Sequence, residues 1–268
     1  MIKMVVTDID GTIYSPKIGV TEEIKDCFRK LKRNNIKLVI ATGRTIKSTQ
    51  GMAGKFGVEV PLICYQGAIV ANYTGEIWNA KYYDEKTARQ VINDLRAKNI
   101  HMNVYVNDQL YVENDDDYIK EYIKDKMITY KVVNSFDELK FDRLNKVLAI
   151  DNDKNVINSL VKELGEKYKE NTFVVKSTDY FCEIADKGAT KGNAVRFLAQ
   201  KWGFDLSEVL AIGDQNNDID MVKVSGVGVA MGNGTPEIKK EADYITETVE
   251  NFGFIEAMNK FVFKGEGN

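Results

Sequence analysis

Apolar positions in this chain follow two rhythms that take turns. Short unbroken runs come first. Lys3–Thr7 is rich in valine and leads straight into Asp8, Ile36–Ala41 leads into Thr42-Gly43-Arg44, and Leu62–Cys64 and Ala68–Ala71 follow. Runs of this length bounded by turn residues read as buried strands. Between them Ile24, Phe28 and Leu31 recur at helical spacing behind Thr21, a helix cap with Glu22 and Glu23 in its first turn, where acids suit the helix dipole. A second helix is expected from Thr45 to Phe56, stopped by Gly57. Strand–helix alternation of this kind predicts a mostly parallel sheet with helices on both faces.

The middle of the chain changes texture. Ala88, Val91, Ile92 and Leu95 mark an amphipathic helix. His101–Val106 and Gln109–Glu113 read as a hairpin around Asn107-Asp108, and Thr172–Lys176 with Tyr180–Ala185 as another. Asp115–Asp117 is read as the acidic start of a helix, and Ser135 with Glu138 fits a capping box. Asn145–Ile150 is a strand, followed by a helical face of Ile157, Leu160, Val161 and Leu164. Hairpins mixed with helices predict an α+β unit, with borders placed near Tyr83 and Asp186. The opening texture then returns. Val195, Leu198, Ala199 and Trp202 form a helix face ended by Gly203, and Val209–Ile212 is an apolar strand ending at Gly213-Asp214. Gly226–Met231 is a glycine-rich strand, a helix starts near Pro236, Tyr244–Thr246 and Phe252–Phe261 close the unit, and Lys264–Asn268 is a frayed tail.

Composition narrows the function classes. With 44% hydrophobic and 29% charged residues and three prolines among 268, the chain has the makings of a folded core with a second unit. A net charge of -3 gives no reason to expect nucleic acid or an anionic membrane as partner. No signal stretch opens the chain and no apolar run spans a bilayer, so the expected location is the cytoplasm. Cys27, Cys64 and Cys182 are too widely spaced for a zinc site and odd in number, and are read as packing residues. The single histidine, His101, excludes a site of several imidazoles within one chain, and no G-x-S-x-G turn supports a serine triad. Acid–base work then falls to carboxylates or lysine.

Three apolar strands end in polar residues: Asp8, Thr42 and Asp214. Ligands in open α/β sheets bind beyond the carboxyl ends of the strands, so these three are candidates to share one crevice. Asp8, Asp10 and Asp214 together call for a cation, and hard oxygen ligands without His or thiolate favour Mg²⁺. Asp8 and Asp10, two apart on an extended backbone, are expected on the same side, with Gly11 permitting the turn. Alternatives stand beside several of these positions. Thr42 suits an ordinary helix N-cap, Lys191 an exposed first turn, and Asp218 a helix start; Arg44 either touches substrate or pairs with an acid. The glycines of Gly226–Gly234 are read as backbone packing, not a dinucleotide site, and no P-loop pattern occurs. Tyr180, Glu183, Lys176 and His101, in the middle unit, either face the crevice or cover a sheet.

Asp8-Ile9-Asp10-Gly11-Thr12 resembles the first motif of the haloacid dehalogenase superfamily, Thr42-Gly43-Arg44 its second, Lys191-Gly192 its third and Gly213-Asp214-Gln215-Asn216-Asn217-Asp218 its fourth, in the family's order. The insert resembles the C2-type cap of the Cof-type subgroup, and Gln66-Gly67-Ala68 stands where members often have Asn-Gly-Ala. The resemblance implies an α/β fold: a Rossmann-like parallel-sheet core domain of residues 1–82 and 187–268 with an inserted α+β cap domain of residues 83–186. It implies a phosphatase acting on small phosphorylated metabolites such as sugar phosphates. Asp8 would be the nucleophile forming an aspartyl-phosphate, and Asp10 the acid and base. Ile9, Thr42, Gly43, Lys191 and Asn217 would be phosphate-binding and Arg44 substrate-binding. Mg²⁺ would sit on Asp8, the Asp10 carbonyl and Asp214, with Asp218 ordering its water shell, while the cap closes over the site and selects the leaving group. A phosphomutase or phosphotransferase, and a phospho-ligand sensor phosphorylated on aspartate, are the competing readings.

Overall fold

The computed structural model of the protein describes residues 1–124 and 128–263. Strands β1 (Met4–Thr7), β2 (Lys37–Ala41) and β3 (Leu62–Cys64) are linked by helices α1 (Glu22–Arg33) and α2 (Ile46–Lys55) and pair in parallel. Every residue of β1 is buried, as expected of a strand covered on both faces. Thr21 caps α1 by accepting the Ile24 N–H, and Ile24, Phe28 and Leu31 pack beneath the sheet. After β3 the direction reverses: β4 (Ile69–Ala71) and β5 (Ile77–Ala80) are antiparallel to their neighbours. This edge departs from the parallel arrangement predicted for the first stretch. Tight connections through Tyr65–Gly67 and the Asn72–Glu76 turn leave no room for a crossover helix.

The chain then builds a second sheet from α3 (Glu85–Ala97), β6 (His101–Val106), β7 (Gln109–Val112), α4 (Asp117–Ile123), β8 (Tyr130–Val132), β9 (Leu144–Ile150), α5 (Lys154–Lys167), β10 (Thr172–Thr178) and β11 (Phe181–Asp186). The strand order is β10-β11-β9-β6-β7-β8, antiparallel except between β7 and β8. Both predicted hairpins form. Asp116 caps α4, while Ser135 caps through the Asp137 N–H and not through a box with Glu138. One face of this sheet packs on α3 and α5 through Val91, Leu95, Leu160 and Leu164. The strand period of two turns Tyr105, Leu148, Ile150 and Phe181 to the opposite face, which joins the apolar core of the first sheet. The two connections between the units run side by side, with the Lys81 side chain of one against Gly188 of the other, and Tyr83, where the second unit begins, bonds Thr172 of that same unit through their hydroxyls at 2.9 Å.

The chain returns through α6 (Lys191–Trp202), β12 (Val209–Gly213), α7 (Ile219–Val224), β13 (Val227–Ala230), α8 (Pro236–Glu241), β14 (Tyr244–Ile245) and α9 (Gly253–Phe261). These strands complete an eight-stranded sheet ordered β14-β13-β12-β1-β2-β3-β4-β5. β1 is thus held between β2 and a strand some two hundred positions away, with Thr7 in register with both Ile40 and Ile212. Residues 226–234 pack backbone on backbone, Gly226 against Ser207 and Gly228 against Val222. The predicted tail Lys264–Asn268 lies outside the described residues. Among the described residues no helix is long and apolar enough to cross a membrane.

Candidate active site

The register of β12, β1 and β2 places Asp214, Asp8 and Thr42 side by side at the carboxyl edge of the sheet. Asp8 is anchored by its N–H on the Ile212 carbonyl at 3.1 Å, and Thr42 by its N–H on Ile63 at 2.8 Å. Oxygens of Asp8, Asp214 and Asp218, all buried, lie within 4.8 Å of one another. Gly11 serves this clustering directly, since a Cβ there would come within 2.3 Å of an Asp214 oxygen. Asp214 accepts from Gln215 Nε2 at 2.9 Å and from Thr12 Oγ1 at 3.3 Å.

Lys191, at the first turn of α6, is fully buried, so the exposed alternative is overturned. Its Nζ donates to Asp8 Oδ1 at 2.8 Å and to Asp218 Oδ1 at 2.5 Å. Asp218 does stand at a helix start, but its other oxygen turns back to accept the Asp214 and Gln215 N–H groups at 3.0 Å. Thr42 is not the cap of α2; Thr45 is, accepting the Ser48 N–H, while Thr42 Oγ1 accepts the Arg44 N–H at 3.2 Å. Asp10 points away from the carboxylate cluster. Arg44 grips it with two parallel bonds, Nε to Oδ2 at 2.7 Å and Nη2 to Oδ1 at 2.6 Å, so Arg44 pairs with an acid inside the same crevice. The Ile9 side chain is buried in the core, and its carbonyl already accepts three turn N–H groups; a phosphate contact from Ile9 has to come from its N–H. Asn217 donates Nδ2 to Gln66 Oε1 at 2.8 Å, and its Oδ1 has no partner among the described residues.

The charges are unbalanced. Burial, with Asp218, Asp214 and Asp10 adding repulsion, drives the Asp8 carboxyl well above its ordinary pKa against the pull of Lys191. Burial and Asp218 push Asp214 up to about 7. Burial alone would depress the Lys191 ammonium, but Asp218 and Asp8 outweigh it and hold it above its usual value. Three buried carboxylates around one ammonium, with an orphaned amide oxygen nearby, form an all-oxygen donor set that fits a divalent cation.

The second sheet supplies the opposite wall. A cavity of about 290 Å³ is lined by Asp8, Thr42 and Asn217 on one side and by Tyr122, Lys146, Phe181 and Glu183 on the other. Lys146, on β9, is buried; its Nζ donates to Glu183 Oε2 at 2.7 Å and to the Gly43 carbonyl at 2.9 Å, and lies 5.1 Å from the centre of the Tyr105 ring. Ser177 Oγ donates to the other Glu183 oxygen at 3.0 Å. Burial opposes the Lys146 charge, but Glu183 outweighs it and raises the ammonium pKa. Of the four insert residues named from the sequence, Glu183 alone lines this cavity. Tyr180 is exposed, Lys176 pairs with Asp179, and His101 stacks on Tyr118 and bonds to Asp116 and Asn103. Sequence reading missed Lys146, and it noted Gln66 as a departure without placing it in the cavity. The signal for Lys146 was a lone lysine inside the apolar run Leu144–Ile150.

The chain matches the model of the haloacid dehalogenase-like hydrolase family over residues 5–258. It is 34% identical to the putative phosphatase YxeH of Bacillus subtilis, over 98% of this chain and 99% of that one. It is 29% identical to the 5-amino-6-(5-phospho-D-ribitylamino)uracil phosphatase YcsE of the same organism, covering 97% of this chain and 96% of the relative. Among solved structures it is similar to a haloacid dehalogenase-like hydrolase from Bacteroides thetaiotaomicron, with a TM-score of 0.83, 26% identity, and 97% and 99% of the two chains covered.

Proposed function

The chain belongs to the haloacid dehalogenase-like hydrolases, and we propose that within this family it hydrolyses small phosphorylated metabolites, sugar phosphates above all, through an aspartyl-phosphate on Asp8 with Mg²⁺ as cofactor. It is a phosphoric monoester hydrolase, in keeping with its family and with relatives that carry the name phosphatase. The observation that carries the finer reading is the fully buried Lys191, which bridges Asp8 and Asp218 beside Asp214.

In this mechanism an Asp8 oxygen attacks phosphorus, and the ester P–O bond breaks as the acyl–phosphate bond forms. Asp10 gives its proton to the departing oxygen, then takes one from the water that attacks the phosphoenzyme and releases phosphate; acid–base help of this kind contributes about 10²–10⁴-fold. To carry that proton Asp10 releases one of its two bonds to Arg44, since a carboxyl gripped on both oxygens has no site left for it, while the other bond keeps it in place. Thr42 Oγ1, the Ile9 and Gly43 N–H groups and Asn217 cradle the phosphoryl oxygens, and Lys191 offsets the charge on Asp8. Asp8, the Asp10 carbonyl and Asp214 would hold Mg²⁺, with Asp218 behind them, and the ion would supply the positive charge that lets a phosphate anion approach a carboxylate.

Residues 83–186 act as the cap in this reading. Their contribution to the cavity is neutral in sum and hydroxyl-rich, with Lys146 paired to Glu183, Ser177 beside them, and Tyr122 and Phe181 as flat walls. A polyhydroxylated, uncharged leaving group suits that surface, and the ribityl phosphate in the name of one relative is of that kind. A cytoplasmic setting belongs to the same reading and is supported by three cysteines buried as free thiols. The test is phosphate release from a panel of phosphorylated metabolites, with Mg²⁺ or with chelator, for wild type and Asp8→Asn. Metal-dependent turnover that disappears in the variant is expected; equal rates in both proteins would end the proposal.

A further inference from the structure

Directly after β3, Tyr65 and Gln66 both adopt left-handed backbone, with φ of 52° and 60°, and Gly67 follows at 105°. Consecutive non-glycine residues in this region are unfavourable and persist only where surroundings impose them. The surroundings here are specific. The Tyr65 N–H bonds the Arg44 carbonyl at 3.0 Å, the Gln66 N–H bonds the Thr42 carbonyl at 3.1 Å, and Gly67 presses so close to Thr190 that a Cβ would sit 2.1 Å from its carbonyl oxygen. The turn is therefore wedged between the loop carrying Thr42 and Gly43 and the start of α6 carrying Lys191.

The wedge delivers one side chain. Gln66 is buried and lines the cavity. Its carboxamide lies across the face of Gly43, where a Cβ would meet Nε2 at 2.4 Å. Its Oε1 is engaged by Asn217 Nδ2, which fixes the amide so that Nε2 is the end left for a ligand, and Nε2 makes no hydrogen bond to the described residues. Asparagine tolerates the left-handed region better than glutamine, yet it is one methylene shorter. The chain carries the longer side chain in the less comfortable conformation, at a point where length sets how far the amide reaches over Gly43.

We propose that Gln66 is a substrate-binding residue whose Nε2 donates to a phosphoryl oxygen of the bound monoester, with Asn217 holding the amide in that orientation. This deepens the phosphatase reading and rests on it. The decisive variants are Gln66→Asn, which suits the backbone but falls short, and Gln66→Glu, which keeps the length but replaces the donor with an anionic oxygen. The measurements are kcat/KM on p-nitrophenyl phosphate and on a hexose phosphate, the affinity for inorganic phosphate in the presence of Mg²⁺ by calorimetry, and the unfolding temperature.

Gln66→Asn trades relief of the left-handed backbone against the bond from Asn217 and is expected to unfold within a few degrees of the wild-type temperature. It should lose about ten- to a hundred-fold in kcat/KM, the worth of a hydrogen bond to a charged group, by the same factor on both esters, and bind inorganic phosphate correspondingly more weakly. Gln66→Glu should lose more. A Gln66→Asn protein within two-fold of wild type on both esters would make Gln66 a packing residue and overturn the proposal. Unequal losses on the two esters would assign it to the leaving group and overturn it as well. If wild type cleaved no monoester, the phosphatase reading would fail, and Gln66 would still be judged by phosphate affinity alone.

Discussion

Two lysines are buried on opposite sides of one cavity, and their company differs. Lys191, in the floor, faces Asp8 and Asp218 with Asp214 close by, so acids outnumber it three to one. Lys146, in the roof, faces one carboxylate, Glu183, and otherwise a carbonyl and an aromatic ring. Both ammonium groups are dry, and both stay charged because their partners outweigh burial. The difference teaches how to read buried charge. The balanced pair in the roof is complete as it stands and shapes a surface. The surplus of negative charge in the floor is strained until a cation joins it, and such surplus marks chemistry rather than architecture.

Removing an acid from the floor should produce the largest effect. Asp8→Asn is expected to lower phosphate release by about 10⁴-fold or more. It should leave the metal-free protein at least as stable as wild type, since a repelled carboxylate is gone; release assays and thermal unfolding read the two outcomes. Removing the floor's cation comes next. Lys191→Met should destabilise the metal-free protein by roughly 3–5 kcal/mol in urea unfolding, because two dry carboxylates lose their partner. Cutting the roof pair should do less. Lys146→Met is expected to cost about 2 kcal/mol, since Glu183 keeps its Ser177 bond and faces a cavity that water can enter. Lys146→Met with Glu183→Leu should recover most of that loss while kcat/KM on a hexose phosphate stays depressed relative to p-nitrophenyl phosphate. A double variant no more stable than the single would erase the distinction between floor and roof.

The pH dependence of the floor is the effect most sensitive to sign. Asp214 titrates near 7 in the folded protein but near 3.9 when unfolded. Below pH ~4 it is protonated in both states and contributes no difference. As pH rises from about 4 to about 7 the folded form keeps the proton that the unfolded chain gives up, so stability falls, and above 7 the loss is complete. Metal-free Asp214→Asn should match wild type near pH 4 and exceed it by at least about 1 kcal/mol at pH 8. Added Mg²⁺ should remove or reverse that advantage. A stability difference that does not change between pH 4 and pH 8 would show that the floor is not overcharged.

The floor was far more legible in the sequence than the roof, for a physical reason. Asp8, Thr42 and Asp214 each follow an apolar run, and the carboxyl ends of adjacent parallel strands fall together whatever the detail of packing. Lys146 gives no such cue: on β9 it looks like an outward lysine, and only its register opposite Tyr105 decides that it turns inward. Gln66 was noticed as a departure, but its left-handed backbone is imposed by its bond to the Thr42 carbonyl and by the press of neighbouring Gly67 on Thr190, contacts that no local pattern encodes. The strands β5 and β8 escaped notice because they are short edge strands without a clean alternation. The reversal of β4 escaped because a compact turn, not composition, sets strand direction there.

The paired connections at Tyr83 and Gly188 carry one further consequence. A lid on a single tether can swivel as well as lift, and must search for its seat. Two strands of chain running abreast resist swivelling and leave bending as the easy motion. If residues 83–186 open and close as the proposed cap, the bond from Lys146 to the Gly43 carbonyl is one that each opening breaks and each closing restores at the same place.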